Sequence, residues 1–153
     1  IHTFDVVGEM LHLVNKYDIP IKLLELEITE TTDSEGVSDV VQKMKDAGFT
    51  MLMDDFGSGY SSLNMLQKTQ FDVLKIDRGF LSEFMESSRG RKIISHTISM
   101  SRDIGLDIIA EGVETPEQAS FLSDCGCDSA QGFYYSKPIT QEEFDKMLVE
   151  VNK

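Results

Sequence analysis

Met51-Leu52-Met53-Asp54-Asp55-Phe56-Gly57-Ser58-Gly59-Tyr60-Ser61-Ser62-Leu63 runs from apolar residues into two adjacent acids and then into glycines. Phe49 to Met53 reads as a buried strand, and the acids mark its end. A buried strand that ends in two carboxylates spends stability, because desolvation opposes charge. Glycines suit a sharp turn or a close approach of backbone to a ligand. Costly charge beside such a loop is the pattern of a metal or phosphate site.

Outward from this stretch, helical and strand patterns alternate. Asp5 is placed to cap a helix over 6 to 17, with Val6, Met10, Leu11, Leu13 and Val14 on one face. Pro20 breaks the chain before an apolar run, Ile21 to Ile28, read as the first strand. A helix over 36 to 46 ends at Gly48 and leads into the strand before Asp54. A short helix over 61 to 67 precedes Val73-Leu74-Lys75-Ile76, the third strand. A helical region over 79 to 104, broken near Ser88 to Gly90, stops at Gly105. Asp107 to Ala110 is the fourth strand. Thr115 and Pro116 read as the cap and first residue of the next helix, with Glu117 and Gln118 following. Cys127 to Ala130 is a short fifth strand, and a last helix covers 141 to 150. Strands alternating with helices imply a parallel sheet with helical crossovers. Two architectures fit: an open doubly wound sheet, or part of a (β/α)8 barrel. Both place active sites at the carboxyl ends of the strands.

Acids outnumber bases 27 to 14 in 153 residues, a net charge of -13. That balance argues against nucleic-acid polymers and anionic membranes, which need a positive field. It still admits a small phosphate ligand whose charge a metal neutralises. No apolar run approaches the ~20 residues of a membrane helix. Cys125 and Cys127 are the only cysteines, and their spacing suits reduced thiols in a cytoplasmic domain.

The strand ends carry the chemistry. The first ends at Glu27-Ile28-Thr29-Glu30, the second at Asp54-Asp55 and the third at Lys75-Ile76-Asp77. The fourth ends at Ala110-Glu111-Gly112 and the fifth at Gln131-Gly132. Glu27, Asp54, Asp55 and Glu111 supply only oxygen, which suits Mg2+, Mn2+ or Ca2+ better than zinc or copper. Four carboxylates suit a pair of divalent ions, a recurring device for phosphate-ester hydrolysis. Lys75 in such a cluster is a partner that orients the attacking water or accepts its proton. Single residues have plainer readings. Phe56 and Tyr60 are ordinary core aromatics. Asp77 caps the segment at Phe80, and Glu114 is divided evenly between supporting a helix start and serving the site. His2, His12 and His96 lack partners in sequence.

These same segments, together with Gln131-Gly132-Phe133 and Ser136-Lys137-Pro138, resemble the C-terminal part of an EAL domain, the family of cyclic di-GMP phosphodiesterases. The resemblance covers essentially the whole chain. It implies a TIM-barrel-like fold, incomplete, with the C-terminal five or so β/α units present, so that residues 1–153 form a partial EAL domain. It also implies hydrolysis of cyclic di-GMP to linear pGpG with Mg2+ or Mn2+. Glu27, Asp54, Asp55 and Glu111 fall on the family's metal positions. Lys75 matches its catalytic lysine, and Gln131 the glutamine that completes the water and metal environment. Glu30 matches the glutamate that anchors the loop after Asp55, a segment tied in the family to metal binding and to homodimers. The Glu-Ala-Leu motif and an asparagine ligand are absent from this chain. A barrel runs to about 250 residues, so roughly 100 are expected ahead of Ile1. The isolated chain is therefore expected to have little turnover of its own. The alternative implied is a non-catalytic module that binds cyclic di-GMP.

Overall fold

The structure, a computed structural model, describes residues 5–29, 36–59 and 62–151. Glu30, Tyr60, Ser61 and His2 lie outside the described residues. The elements run α1 (Val6–Tyr17), a 3-10 turn (Ile21–Leu23), β1 (Glu25–Thr29), α2 (Val37–Asp46), β2 (Thr50–Phe56) and α3 (Ser62–Lys68). They continue with β3 (Val73–Ile76), α4 (Arg78–Met85), α5 (Ser88–Asp103), β4 (Asp107–Ala110), α6 (Pro116–Asp124), β5 (Ser129–Ala130) and α7 (Gln141–Val151).

Local chemistry sets most of these limits. The Asp5 carboxylate accepts a hydrogen bond from Gly8 N at the start of α1. Thr115 and Gln118 form a reciprocal capping box, with Pro116 as the first residue of α6. Ser87 caps α5 through Gly90 N and so separates it from α4. Two expected strands are shorter than their apolar runs suggest. Ile21–Leu23 coils into a 3-10 turn, closed by Leu23 N to Pro20 O at 2.9 Å, so the first strand begins only at Glu25. The fifth begins at Ser129 instead of Cys127, because the Asp128 carboxylate turns to accept from Ile108 N at the start of β4. Asp72 does the same for Met51 N at 2.9 Å. Each carboxylate pins the beginning of one strand beside the next.

All five strands are parallel and lie in the order β1-β2-β3-β4-β5. That order decides between the two architectures. A doubly wound sheet reverses direction at a switch point, and this one never does. Right-handed crossovers that always step the same way put the helices between successive strands on one face. The core follows suit. Met51, Met53 and Leu74 pack with Val14, Val41 and Met44 of α1 and α2, and with Met65 and Leu66 of α3. Ile76, Ile108 and Ala110 pack with Leu81, Ile94, Ile98 and Leu122 of α4, α5 and α6. Successive strand residues point to opposite faces. The other, concave face therefore carries Glu27 of β1, Leu52 and Asp54 of β2, Val73 and Lys75 of β3, and Ile109 of β4. This is the winding of a TIM-type barrel. Among the described residues no helix is long and apolar enough to cross a membrane.

Candidate active site

Lys75 stands third in β3, a strand buried at every position. It is 7% exposed, an expensive place for an ammonium group unless it is paired. Three acids pair it, from β1, from β2 and from the residue after β4. Its Nζ donates to Glu27 Oε1 at 2.6 Å and lies 2.9 Å from both Asp54 Oδ1 and Glu111 Oε1. Burial works against the charge, but the close contacts with Glu27, Asp54 and Glu111 overcome it and hold the pKa above the ordinary lysine range. As the site stands, Lys75 is a fixed cation that donates hydrogen bonds.

The acid pair is arranged by a defect in the sheet. Met53 lies opposite Leu74 and Phe56 opposite Ile76, so β2 carries one residue more than β3 across this interval. The strand continues through the acids to Phe56 instead of stopping at Met53. In a regular strand Asp54 and Asp55 would face opposite sides of the sheet. Here Asp55 adopts φ 58°, a left-handed conformation that Asp tolerates better than most residues. The bulge re-aims the chain, and both carboxylates stay within one electrostatic field. Burial raises the Asp55 pKa first, then the charges of Asp54, Asp77 and Glu27 add to it, with Lys75 opposing. Behind the bulge, Phe56 meets Phe80 edge-on and Phe80 stacks on Phe84. Gly57, at φ 97°, lies against the Phe80 ring where a Cβ would collide with it.

The fourth and fifth strands complete the cluster. Gln131 Nε2 donates to Glu111 Oε1 at 2.6 Å. The backbone brings them together: Gln131 N donates to Ala110 O and Val113 N to Gln131 O. Gly132 lies flat against the Val113 backbone, where any side chain would collide. Beside Glu111 and Gln131 a cavity of about 550 Å3 opens, walled by Arg78, Glu114, Phe133 and Pro138 among others.

Glu27, Asp54, Lys75, Glu111 and Gln131 thus meet in direct contacts, with Asp55 beside them. Glu30 lies outside the described residues. Asp77 caps α4 as expected, accepting from Gly79 N and Phe80 N. Glu114 pairs with Arg78 at 2.7 Å, a partner the sequence reading missed. Its only signal in sequence is that Arg78 is the first helical residue after a site-bearing strand. His12 and His96 take no part.

The donor set fits a hard divalent cation, since every acid offers oxygen alone. Asp54 Oδ1 is buried and accepts no hydrogen bond. Lys75 Nζ is close enough to compensate its charge but is not aligned to bond it, so that oxygen keeps an open lone pair. Among the described residues no three acids close around one ion-sized point; the Lys75 ammonium stands where they converge.

The EAL domain family model matches residues 2–138. The chain belongs to the EAL domain family. Its sequence is 34% identical over 149 residues to Signaling protein YkoW of Bacillus subtilis, covering 95% of this chain and 19% of that protein. It is 40% identical over 141 residues to the bifunctional diguanylate cyclase/cyclic di-GMP phosphodiesterase MucR of Pseudomonas aeruginosa, covering 90% of this chain and 21% of MucR. The solved MucR phosphodiesterase in complex with c-di-GMP superposes with a TM-score of 0.83 at 34% identity, over 94% of this chain and 59% of that one. A manganese/cyclic di-GMP complex of Klebsiella pneumoniae BlrP1 gives a TM-score of 0.81 at 31% identity, over 90% of this chain and 36% of that one. This EAL chain therefore spans between about a fifth and a third of the length of the curated relatives it matches.

Proposed function

We propose that this EAL chain supplies the carboxylate, lysine and glutamine side of a divalent-metal-dependent site that hydrolyses cyclic di-GMP to linear pGpG. The observation that carries the reading is the convergence of Glu27, Asp54 and Glu111 on the buried Lys75 ammonium. MucR and BlrP1, whose solved structures hold the cyclic dinucleotide, support the choice of substrate. BlrP1, solved with manganese, supports Mn2+ or Mg2+.

Glu27, Asp54, Asp55 and Glu111 would hold the metal, and four carboxylates suit two ions. Such ions supply Lewis-acid stabilisation of the phosphodiester charge and a more acidic attacking water. The chain's own residues do the rest. Lys75 donates to the reacting oxygens and holds the water in line, as a cation and not as a base. Gln131 fixes the Glu111 carboxylate. The rim of the 550 Å3 cavity keeps the nucleotide beside the cluster.

We read residues 1–153 as part of one barrel domain, since the MucR structure extends well beyond the matched region. Among the described residues β1 and β5 each pair on one side only, and an open strand edge favours association, so we infer that residues 1–153 on their own form a homodimer, checked by sedimentation. Two free thiols are in keeping with the cytoplasm.

The decisive test is turnover of cyclic di-GMP by the full-length protein with Mg2+ or Mn2+. Metal-dependent release of pGpG is expected, abolished by a chelator. Absence of turnover with both ions overturns the catalytic reading. Nucleotide binding in calorimetry without turnover would instead support a non-catalytic binding module.

A further inference from the structure

We propose that Arg78 is a positioning residue of this site, acting on Glu111 through its stem and on Glu114 through its charge; the proposal rests on the metal-dependent reading above. Arg78 opens α4 directly after the cap Asp77. Its guanidinium Nη2 lies 2.7 Å from Glu114 Oε1. Its stem covers Gly112, where an added Cβ would run into the Cβ, Cγ and Cδ of Arg78. Gly112 itself has φ 66°.

The segment Glu111-Gly112-Val113-Glu114 is therefore held from two sides. On one side Tyr134 N donates to Val113 O at 2.9 Å, and Val113 N donates to Gln131 O at 3.1 Å. On the other side the Arg78 stem lies across Gly112. A glycine contributes no packing and has the most backbone freedom to lose. This turn needs an external clamp if the Glu111 carboxylate is to keep its 2.9 Å approach to Lys75. Gln131 fixes the tip of that side chain, and Arg78 fixes its base.

The ion pair with Glu114 does a separate job. Its partners are 62% and 44% exposed, so it adds little to folding stability. Its effect is geometric. Arg78 and Glu114 line the same cavity as Glu111 and Gln131, and the pair fixes which way the Glu114 carboxylate faces there. One side chain thus ties a cation ligand to the wall of the cavity that receives the substrate.

Stem and charge separate by substitution. Arg78→Met keeps a stem and loses the charge; Arg78→Ala loses both. The full-length protein and its variants are compared for Mn2+ affinity by calorimetry and for kcat and KM on cyclic di-GMP. Arg91→Met is the control, because Arg91 makes an exposed pair with Glu117 away from the cluster. Arg78→Ala is expected to weaken Mn2+ binding and lower kcat, each about tenfold, the usual effect of losing a residue that orients a ligand. Arg78→Met is expected to keep Mn2+ affinity and kcat within about twofold while raising KM about fivefold, the equivalent of one exposed ion pair. Arg91→Met is expected to match the parent. An Arg78→Ala protein with parental Mn2+ affinity and kcat overturns the proposal. So does an Arg91→Met protein impaired as much as Arg78→Ala, which marks general destabilisation. If the unaltered protein neither binds Mn2+ nor turns over the nucleotide, the phosphodiesterase reading fails and the clamp falls with it, before any variant is compared.

Discussion

Gln131 donates a 2.6 Å hydrogen bond to the same Glu111 oxygen that lies 2.9 Å from the Lys75 ammonium. One carboxylate oxygen thus accepts from Gln131 and is ion-paired with Lys75, and its orientation is fixed from both sides. Groups that orient a ligand without touching the metal typically matter 10- to 100-fold. Gln131→Leu is therefore expected to lower kcat about 30-fold. The bond is exposed, so folding stability should change by less than about 1 kcal/mol. Steady-state kinetics and urea denaturation on the same preparation check both halves. A large loss of stability with intact kcat would contradict the assigned role.

Among the described residues Lys75 is the one cation paired with Glu27, Asp54 and Glu111. Lys75→Met leaves Glu27, Asp54 and Glu111 facing one another. Removing one partner of a fully buried ion pair costs about 3–5 kcal/mol. Glu27 is 47% exposed, so solvent recovers part of that, and a loss of about 2 kcal/mol is expected. The pH dependence has a definite sign. The folded pKa lies above the ordinary lysine value of 10.5. The stabilisation is thus fully present below that value and fades as pH rises through the higher folded pKa. Denaturant midpoints between neutral pH and strong alkali should fall for the parent and show a weaker slope for Lys75→Met. In the variant, Mn2+ should raise the thermal midpoint more than in the parent, because it replaces the lost positive charge. Equal Mn2+ shifts in both proteins would argue against a shared cation position.

What was legible in the sequence follows from range. The Asp5 cap, the Thr115 and Gln118 capping box and the bounds of β3 and β4 depend on neighbours along the chain, and the structure places them where the residues point. The gathering of acids at strand ends was legible too, because alternating strands and helices bring those ends to one rim. The bulge at Asp54 and Asp55 was not, since it exists only as a mismatch with β3. The Arg78 stem over Gly112 was hidden for the same reason. The late start of β5 depends on Asp128 reaching Ile108 N in β4, which no local propensity reports.

Asp55 carries two burdens at once. Its backbone is left-handed at φ 58°, and its carboxyl pKa is raised, first by burial and then by Asp54. Raised acid pKa values destabilise the fold as pH climbs from the unfolded value through the folded one, so at neutral pH the ionised group opposes folding. Asp55→Asn and Asp55→Gly should therefore be at least as stable as the parent while losing metal-dependent turnover. Asp55→Val keeps the left-handed backbone without a tolerant side chain, and should be less stable than Asp55→Gly by about 1–2 kcal/mol. Chemical denaturation at pH 7 ranks the series. A parent more stable than Asp55→Gly would mean the acid serves the fold more than the site.

Gly57 follows the bulge and lets the loop leave the strand. Its φ of 97° and the Phe80 ring beside it leave no room for a Cβ. Gly57→Ala must either push Phe80 off Phe56 and Phe84 or move the loop and the bulge with it. Alanine at a positive φ usually costs more than about 1 kcal/mol, and displacing a packed ring adds to that. The bulge sets the acid pair, so Mn2+ affinity should fall together with stability. Phe80→Leu opens space beside Gly57 and should partly restore Mn2+ binding in the double variant, a coupling that calorimetry on the four proteins of the cycle would measure. Strictly additive effects would show that the ring and the glycine act independently.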